Sequence, residues 1–511
     1  MSQNPSPLHL VCAAVLALAA GSAFAQDARL PAALTPPPPA ATGDTPVQTA
    51  LAPPAPIPPP APIAPPAGPT TPPPVPVQAA PLSAPDLFAA DAGKTTGLPG
   101  DLWKGASLDL ARTVIPMAVT RPMTPAAQAF ALRVMSTASS APDGGGSDPD
   151  LAAARVYVVL SLGDPIGART MLEHTPGVRR SAALSQVAAE ADLTLGRDDE
   201  ACSLGDNLAA GKDSAYFRRL RVYCLLRAGD KPGAQLAYDL TSEQAKDDVY
   251  KRLMSAALSG AQAGVQPSLR NGLEYALSRQ MGLDLTSAMD KAWAPIATML
   301  AVDAREPAPL QAAAAALIAR RQADLSRASS LNPAVRAAAL SLADDKLDPN
   351  LAERLAAGGV SGSAEEQQGL ALYAAAGAPG AGRVRAAFAG FDIGPAKANQ
   401  ARMLELDAVS TRGAKGDTAL LALWLMMDAG EAGPSVADRA RIIRAMNVAG
   451  FAQDSRRYAL EGLLYLKTLP APPKVAAPPP KAAKAAKAAK KSPPPKPAHR
   501  SRKKKAEPSG D

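Results

Sequence analysis

The chain has 511 residues and a formal net charge of +8, and this charge is concentrated at its C-terminal end. Residues 470–511 contain twelve Lys or Arg and two acids, which gives +10 and leaves −2 for the rest of the chain. The excess of basic residues therefore lies in the tail. The part of the chain expected to fold is not strongly basic.

The N-terminal segment, residues 1–25, has the pattern of a secretory signal peptide. Residues 8–20 form a short apolar run, and Ala23-Phe24-Ala25 fits the small-x-small cleavage rule. We expect cleavage after Ala25 and export to the periplasm of a Gram-negative bacterium. An uncleaved anchor is the open alternative because no Lys or Arg precedes Arg29, although the apolar run is short for a membrane span.

Residues 26–85 predict a disordered, Pro-rich spacer. Positions 31–85 include 22 prolines, which cannot join a helix or a sheet ladder and which favour extended polyproline II conformation. We interpret this segment as a tether, with a ligand for a Pro-binding module as the alternative. Residues 86–150 follow as a partly helical lead-in, with a helix expected over 125–138.

A short pattern occurs three times in residues 151–260. Each copy begins at a glycine that is followed five residues later by alanine, and the three glycines, Gly163, Gly196 and Gly229, are equally spaced. The preceding stretches, 151–162, 182–195 and 215–228, are helix candidates that end at a residue able to adopt the left-handed conformation. The alanine then lies in a second helix, where a small side chain permits close approach, so each unit is predicted to be a helical hairpin.

The equal spacing of these glycines, with Gly at the turn and Ala on the second helix, resembles the tetratricopeptide (TPR) repeat. The usual Trp and Leu-Gly pair of the first helix and the repeat-closing Pro have no counterpart here. The resemblance covers about three units and implies protein or peptide binding in a superhelical groove. The resemblance assigns no particular residue of this chain to ligand binding.

Two cysteines remain after removal of the signal peptide, and we predict that Cys202 and Cys224 form a disulfide. They flank the turn at 211–213, and in an antiparallel hairpin the two positions lie at nearly the same height. Export favours the disulfide, and two buried free thiols are the alternative. A metal site is not expected, because no second cysteine pair or nearby histidine completes four ligands.

Residues 261–469 predict a continuing helical-repeat domain without a regular period. Helix candidates separated by turns include 267–279, 285–300 and 310–325. The apolar run 419–427 is short, so we expect a buried helix there and not a membrane span. The predicted fold class is all-α, an α-solenoid of antiparallel helical hairpins between disordered Pro-rich and Lys/Ala/Pro-rich segments.

No catalytic or cofactor motif occurs in the sequence. G-x-S-x-G, H-E-x-x-H, EF-hand and Gly-rich phosphate-loop patterns are all absent, and His174 is the one histidine of the part expected to fold. Adjacent acids lie at predicted helix starts, where the helix dipole accounts for them. We therefore expect no enzyme, no cofactor and no metal, and the paired carboxylates of a glycosidase are the chemistry left open.

The tail, residues 470–511, is predicted to be a disordered segment that binds polyanions. Four of its lysines recur every three residues. Such a chain binds anionic surfaces by counterion release, and in the envelope these surfaces are lipid headgroups, lipopolysaccharide or acidic wall polymer. The candidate binding residues are Lys481, Lys484, Lys487, Lys490, Lys491, Arg500, Arg502, Lys503, Lys504 and Lys505.

Together these features predict a non-enzymatic scaffold or adaptor of the cell envelope. Its helical-repeat groove would bind a protein or peptide, and its tail would adhere to anionic polymers or lipids. The alternative is an accessory or divergent enzyme of cell-wall or polysaccharide metabolism with an acidic cleft in residues 245–469, marked by a buried glutamate that points into that cleft. A nucleic-acid-binding protein is the third hypothesis, and it requires that the chain is not exported.

Overall fold

The computed structural model describes residues 85–242 and 247–467, and all regular secondary structure in these two ranges is helical. The all-α prediction is therefore confirmed for this part of the chain. The predicted signal peptide, nearly all of the Pro-rich spacer and the basic tail lie outside the described residues. Within those ranges, no helix has the length and apolar character needed to cross a membrane.

Twenty α-helices make up the described part. The first ten are α1 Leu108–Thr120, α2 Pro125–Ser136, α3 Pro149–Ser161, α4 Pro165–His174, α5 Ala182–Thr194, α6 Asp198–Asp206, α7 Ala215–Arg227, α8 Lys231–Ser242, α9 Asp248–Ser259 and α10 Gly272–Gln280. The second ten are α11 Ala294–Val302, α12 Ala308–Ala319, α13 Pro333–Ala343, α14 Leu351–Ala356, α15 Ala364–Ala375, α16 Arg385–Phe388, α17 Gln400–Thr411, α18 Lys415–Ala429, α19 Val436–Val448 and α20 Ala452–Leu464. Short 3-10 helices connect several of them, for example Val178–Arg180 and Leu285–Lys291.

Side-chain caps explain where many of these helices begin. The Ser181 hydroxyl accepts the amide of Leu184 at the start of α5, and the Asp148 carboxylate caps α3. At the start of α15, Ser363 and Glu366 form a reciprocal capping box. Such caps satisfy amides that have no partner inside the helix, and each typically contributes about 1 kcal/mol.

The three predicted glycine turns share one backbone geometry. Gly163, Gly196 and Gly229 have φ of +104°, +74° and +83°, the left-handed conformation expected at the end of a helix. At each turn, the amide after the glycine donates to a carbonyl five residues earlier, with N···O distances of 2.8–3.2 Å. These bonds end one helix and start the next. The two helices of each pair pack together, and the three pairs are α3–α4, α5–α6 and α7–α8.

The alanine five residues after each glycine is fully buried. Ala168, Ala201 and Ala234 are each 0% exposed, and each donates its amide to the carbonyl of the residue after the glycine. A methyl group at this position leaves room for the facing helix, whereas a longer side chain would force the two helices apart. The buried alanines are compatible with the predicted need for a small residue at this position.

Two further turns of the same geometry lie near the C-terminal end of the described chain. Gly413 and Gly450 have φ of +75° and +93°, and the following amides make the same backbone bonds. The residues five positions later are Thr418 and Ser455, both 0% exposed. Helices α17 and α18 form a fourth hairpin and α19 and α20 a fifth, each with two helices that pack together. The same backbone bond also follows Gly282 and Gly377, but the residue five positions later is exposed at both places.

The helices from the two ends of the described chain lie side by side. Helix α1 packs on both α3 and α18, and α2 packs on α20. Helix α20 in turn packs on α13 and α15. The C-terminal hairpins therefore adjoin the first helices of the chain, and their spatial order differs from their order in the sequence. One large hydrophobic core extends from Phe88 to Leu466, and a smaller core lies around Ile296.

The helix predicted over 285–300 is wrong, because the structure divides it in two. A 3-10 helix covers Leu285–Lys291, and α11 begins only at Ala294, with Pro295 in its first turn. Proline suits a first turn because it has no amide hydrogen to leave unpaired. The amide of Trp293 between the two helices donates instead to the carbonyl of Leu269, at 2.7 Å.

Candidate functional site

Polar side chains from four helices meet at one cavity of about 170 Å³. Three of these helices are the first helices of the hairpins, α3, α5 and α7, and the fourth is α9. The side chains are Tyr157, Gln186, Glu190, Tyr216, Arg219 and Tyr250. Residues 271–274 form the remaining wall, and we call this space the Glu190 cavity.

The chain itself covers part of the surface that the first helices α5 and α7 present. Helix α10 packs on α5, α7 and α9. The amide of Gly272 donates to Glu190 Oε2 at 2.7 Å, and a Cβ atom on Gly272 would lie 2.8 Å from the Glu190 carbonyl oxygen. Only glycine fits this approach, so the segment before α10 is held tightly against α5.

Two acidic residues beside the cavity are neutralised by arginines. Arg270 donates from Nε to the Glu274 carboxylate at 2.9 Å and from Nη2 to Asp247 at 2.8 Å. Arg219 lies 3.3 Å from the other oxygen of Asp247, and its guanidinium is 5.1 Å from the centroid of the Tyr250 ring. These four charged groups therefore form a self-contained network, with Glu274 only 2% exposed.

Glu190 stands outside that network. It is 3% exposed, and burial raises its pKa to about 7, with a further upward contribution from the negative charge of Glu274. The hydrogen bond from the Gly272 amide acts in the opposite direction because it favours the charged carboxylate. Burial and the Glu190 carboxylate also raise the pKa of Tyr157, to about 12.

The size of the Glu190 cavity limits what it can hold. Sites for drug-sized ligands usually have volumes of about 300–1,000 Å³, so about 170 Å³ suits a small polar group or the end of a side chain. In the two described ranges, no group of three or more His, Cys, Asp or Glu is placed to hold a metal ion. The chemistry within reach is hydrogen bonding and charge pairing with one carboxylate.

The predicted disulfide is formed between Cys202 on α6 and Cys224 on α7. It joins the second helix of one hairpin to the first helix of the next, so it links neighbouring hairpins. A surface groove of about 700 Å³ lies beside it and includes Arg221 and Arg227. The predicted tail residues Lys481 to Lys505 all lie outside the described residues.

His174 and Trp424, the latter within the apolar run 419–427, occupy structural positions. His174 is the last residue of α4 and is exposed. Trp424 lies on α18 between the buried Leu420 and Met427, and the Arg402 guanidinium is 4.0 Å from the centroid of its ring. The structure therefore places Trp424 at the edge of the core.

Glu190 was not predicted from the sequence, because the acids expected to matter there were adjacent acids at helix starts. Glu190 lies in the interior of α5, next to Ala188, Ala189 and Ala191, which are all buried. An acid within such an apolar run is the signal that could have identified it. Its partner segment around Gly272 lies 82 residues later, and no local pattern connects the two.

The comparisons with known proteins give no relative for this chain. No protein family, curated protein or solved structure matches it.

Proposed function

We propose that the chain is a non-enzymatic scaffold or adaptor of the cell envelope, built as a TPR-like solenoid. The observation that carries this proposal is the set of five hairpins with one turn geometry and one buried small residue. Repeated hairpins of this kind create extended surfaces for protein binding. The export signal, the Pro-rich tether and the basic tail in the sequence favour an envelope location, next to anionic polymers or lipids.

The surface open to a protein partner lies on α7 and α8. Leu236 and Leu240 on α8 are 64% and 70% exposed, and they border a groove of about 450 Å³ that also includes Leu225 and Arg221. The opposite side of α7 is less open because α10 covers part of it. The groove also includes Asp213 and Asp230, so a partner with an apolar face and charges of both signs would complement it.

Photo-crosslinking in the native host tests the adaptor function. A crosslinking amino acid at Leu236 should yield a discrete adduct that mass spectrometry assigns to one envelope protein. The matched control is Leu404, which is 65% exposed on α17 and lies outside the groove. No adduct at Leu236, or the same adducts at both positions, would contradict the proposal.

The function of the tail is tested with vesicles that contain anionic phospholipid. Full-length protein should sediment with such vesicles and be released as salt increases, because each displaced counterion weakens binding at higher ionic strength. Protein that ends at residue 469 should remain in solution. Equal sedimentation of the two proteins would contradict the adhesive role of residues 470–511.

An accessory or divergent enzyme of cell-wall metabolism is the second candidate, and Glu190 favours it. A buried carboxyl with a pKa of about 7 has the property of a general acid. The small cavity and the pairing of Glu274 with Arg270 weigh against it, since a glycosidase needs room for a sugar between two acting carboxyl groups. Glycan cleavage by the wild type that Glu190→Gln abolishes would establish this second function instead.

A further inference from the structure

Among the described residues, nearly all well-buried carboxylates are neutralised by cations of the same chain. Six acids that are at most 9% exposed each form an ion pair. Five of these ion pairs have arginine as the cation, and the sixth has lysine. These acids are Asp164, Asp192, Asp198, Glu274, Asp454 and Glu461. A seventh, Asp438, accepts two backbone amides and the Ser435 hydroxyl. Buried charges need such partners because desolvation is costly.

Glu190 departs from this pattern. No Lys, Arg or His within the described ranges forms an ion pair with it, although it is as buried as the paired acids. Its carboxylate accepts the Gly272 amide on Oε2 and lines the cavity. The described residues therefore supply no cation to neutralise this carboxyl group when it ionises.

The groups around this carboxylate suit a cation. Tyr157, Tyr216 and Tyr250 line the cavity, and the Tyr250 ring already has the Arg219 guanidinium 5.1 Å from its centroid, since aromatic rings attract positive charge. The Gln186 amide lies at its edge, one helical turn before Glu190, and offers an acceptor oxygen. Arg219, the one cationic side chain among the lining residues that the structure describes, is engaged by Asp247.

We propose that the Glu190 cavity binds a primary alkylammonium group, such as the end of a lysine side chain or a free amine. An ammonium brings one positive charge and three N–H donors, which match one carboxylate together with amide and hydroxyl oxygens. A divalent cation is a poorer match because it needs six or more oxygen ligands, usually with several carboxylates. The inference goes beyond the adaptor function and does not depend on it.

The test is a titration of the full chain, with its disulfide formed, with n-butylammonium chloride at pH 8.5. Binding is measured by isothermal calorimetry and by the rise in Tm, with sodium chloride at equal ionic strength as the reference. We expect saturable binding that Glu190→Gln weakens at least tenfold, since it removes the charge and keeps an acceptor for the Gly272 amide. Glu405→Gln is the matched control because Glu405 lies on an exposed face of α17.

A second variant keeps the test informative if Glu190→Gln folds poorly. Gln186→Lys would place an ammonium four residues before Glu190, where it reaches the carboxylate along one face of α5. It should abolish n-butylammonium binding and raise Tm at pH 8.5, whereas Gln186→Met should do neither. Unchanged binding in both Glu190→Gln and Gln186→Lys would overturn the proposal.

The choice of amine identifies the source of the ammonium group. Tetramethylammonium, which has no N–H donor, should bind at least tenfold more weakly than n-butylammonium, and equal binding would contradict a site for primary ammonium. N-acetyl-lysine amide that binds more tightly than n-butylammonium would assign the site to a lysine of a polypeptide. Equal binding of these two would assign it to free amines. No saturable binding of any of them would overturn the proposal.

Discussion

Replacing Glu190 with glutamine should remove a pH-dependent cost to folding. The pKa of Glu190 in the folded protein is about 7, compared with an ordinary value of 4.5. That difference corresponds to about 3 kcal/mol. Because the pKa is raised in the folded state, the native protein holds more protons than the unfolded chain between pH 4.5 and 7. The free energy of unfolding should therefore fall as the pH rises through this window.

Glutamine has the shape of the protonated carboxyl group and does not titrate. The free energy of unfolding of Glu190→Gln, relative to wild type, should accordingly rise by up to about 3 kcal/mol between pH 4.5 and pH 8. Other acids with a raised pKa, such as Asp192 and Asp454, contribute equally to both proteins and cancel in this difference. The groups that face Glu190 from the packed elements are Glu274, Tyr157, Tyr216, Arg219 and Tyr250.

The assay is urea denaturation followed by circular dichroism at pH 4.5, 6 and 8, with the disulfide intact. Glu405→Gln again serves as the control, and its difference from wild type should not follow the same curve. A constant difference between Glu190→Gln and wild type across this range would refute the reasoning. It would mean that Glu190 has an ordinary pKa in the folded protein and that its surroundings stabilise the charge.

Reduction of the Cys202–Cys224 disulfide should lower the free energy of unfolding by about 3 kcal/mol, because the bond closes a loop with a sequence separation of 22. Urea midpoints with and without reductant measure this, and equal midpoints would contradict it. Ala201→Leu should cost about 1–3 kcal/mol, since the added carbons have no space at a fully buried position between two helices. Thermal unfolding measures this loss, and an unchanged Tm would show that the helices are not closely packed there. Gly272→Ala should destabilise more than Gly229→Ala, because a Cβ meets a backbone oxygen at 2.8 Å in the first case and nothing within 4 Å in the second. Equal losses would indicate that left-handed strain at Gly229 outweighs the steric clash.

The sequence predicted the hairpins well where their signals are local. A glycine that ends a helix and a small residue five positions later depend on backbone geometry within one turn, so Gly163, Gly196 and Gly229 could be read directly. The turns at Gly413 and Gly450 were missed because their small residues are Thr and Ser, and because their spacing differs from that of the first three. A search for any small residue in place of alanine would have found them.

Features that depend on contacts between distant segments could not be predicted. The packing of α1 on α18 and the fit of Gly272 against Glu190 join residues that are far apart in the chain. The break near Trp293 also has a tertiary cause, because its amide bonds to Leu269 and not within a helix. Apolar periodicity alone cannot distinguish that break from a continuous helix.

The intact mass of the protein from its native host, before and after reduction and alkylation, tests the envelope assignment most directly. We predict a chain that begins at Gln26, with Cys202 and Cys224 protected from alkylation until they are reduced. This result would place the basic tail among anionic lipids and wall polymers. A mass that retains the segment 1–25 together with two free thiols would contradict the envelope assignment and would leave nucleic acid as the polyanion that the tail binds.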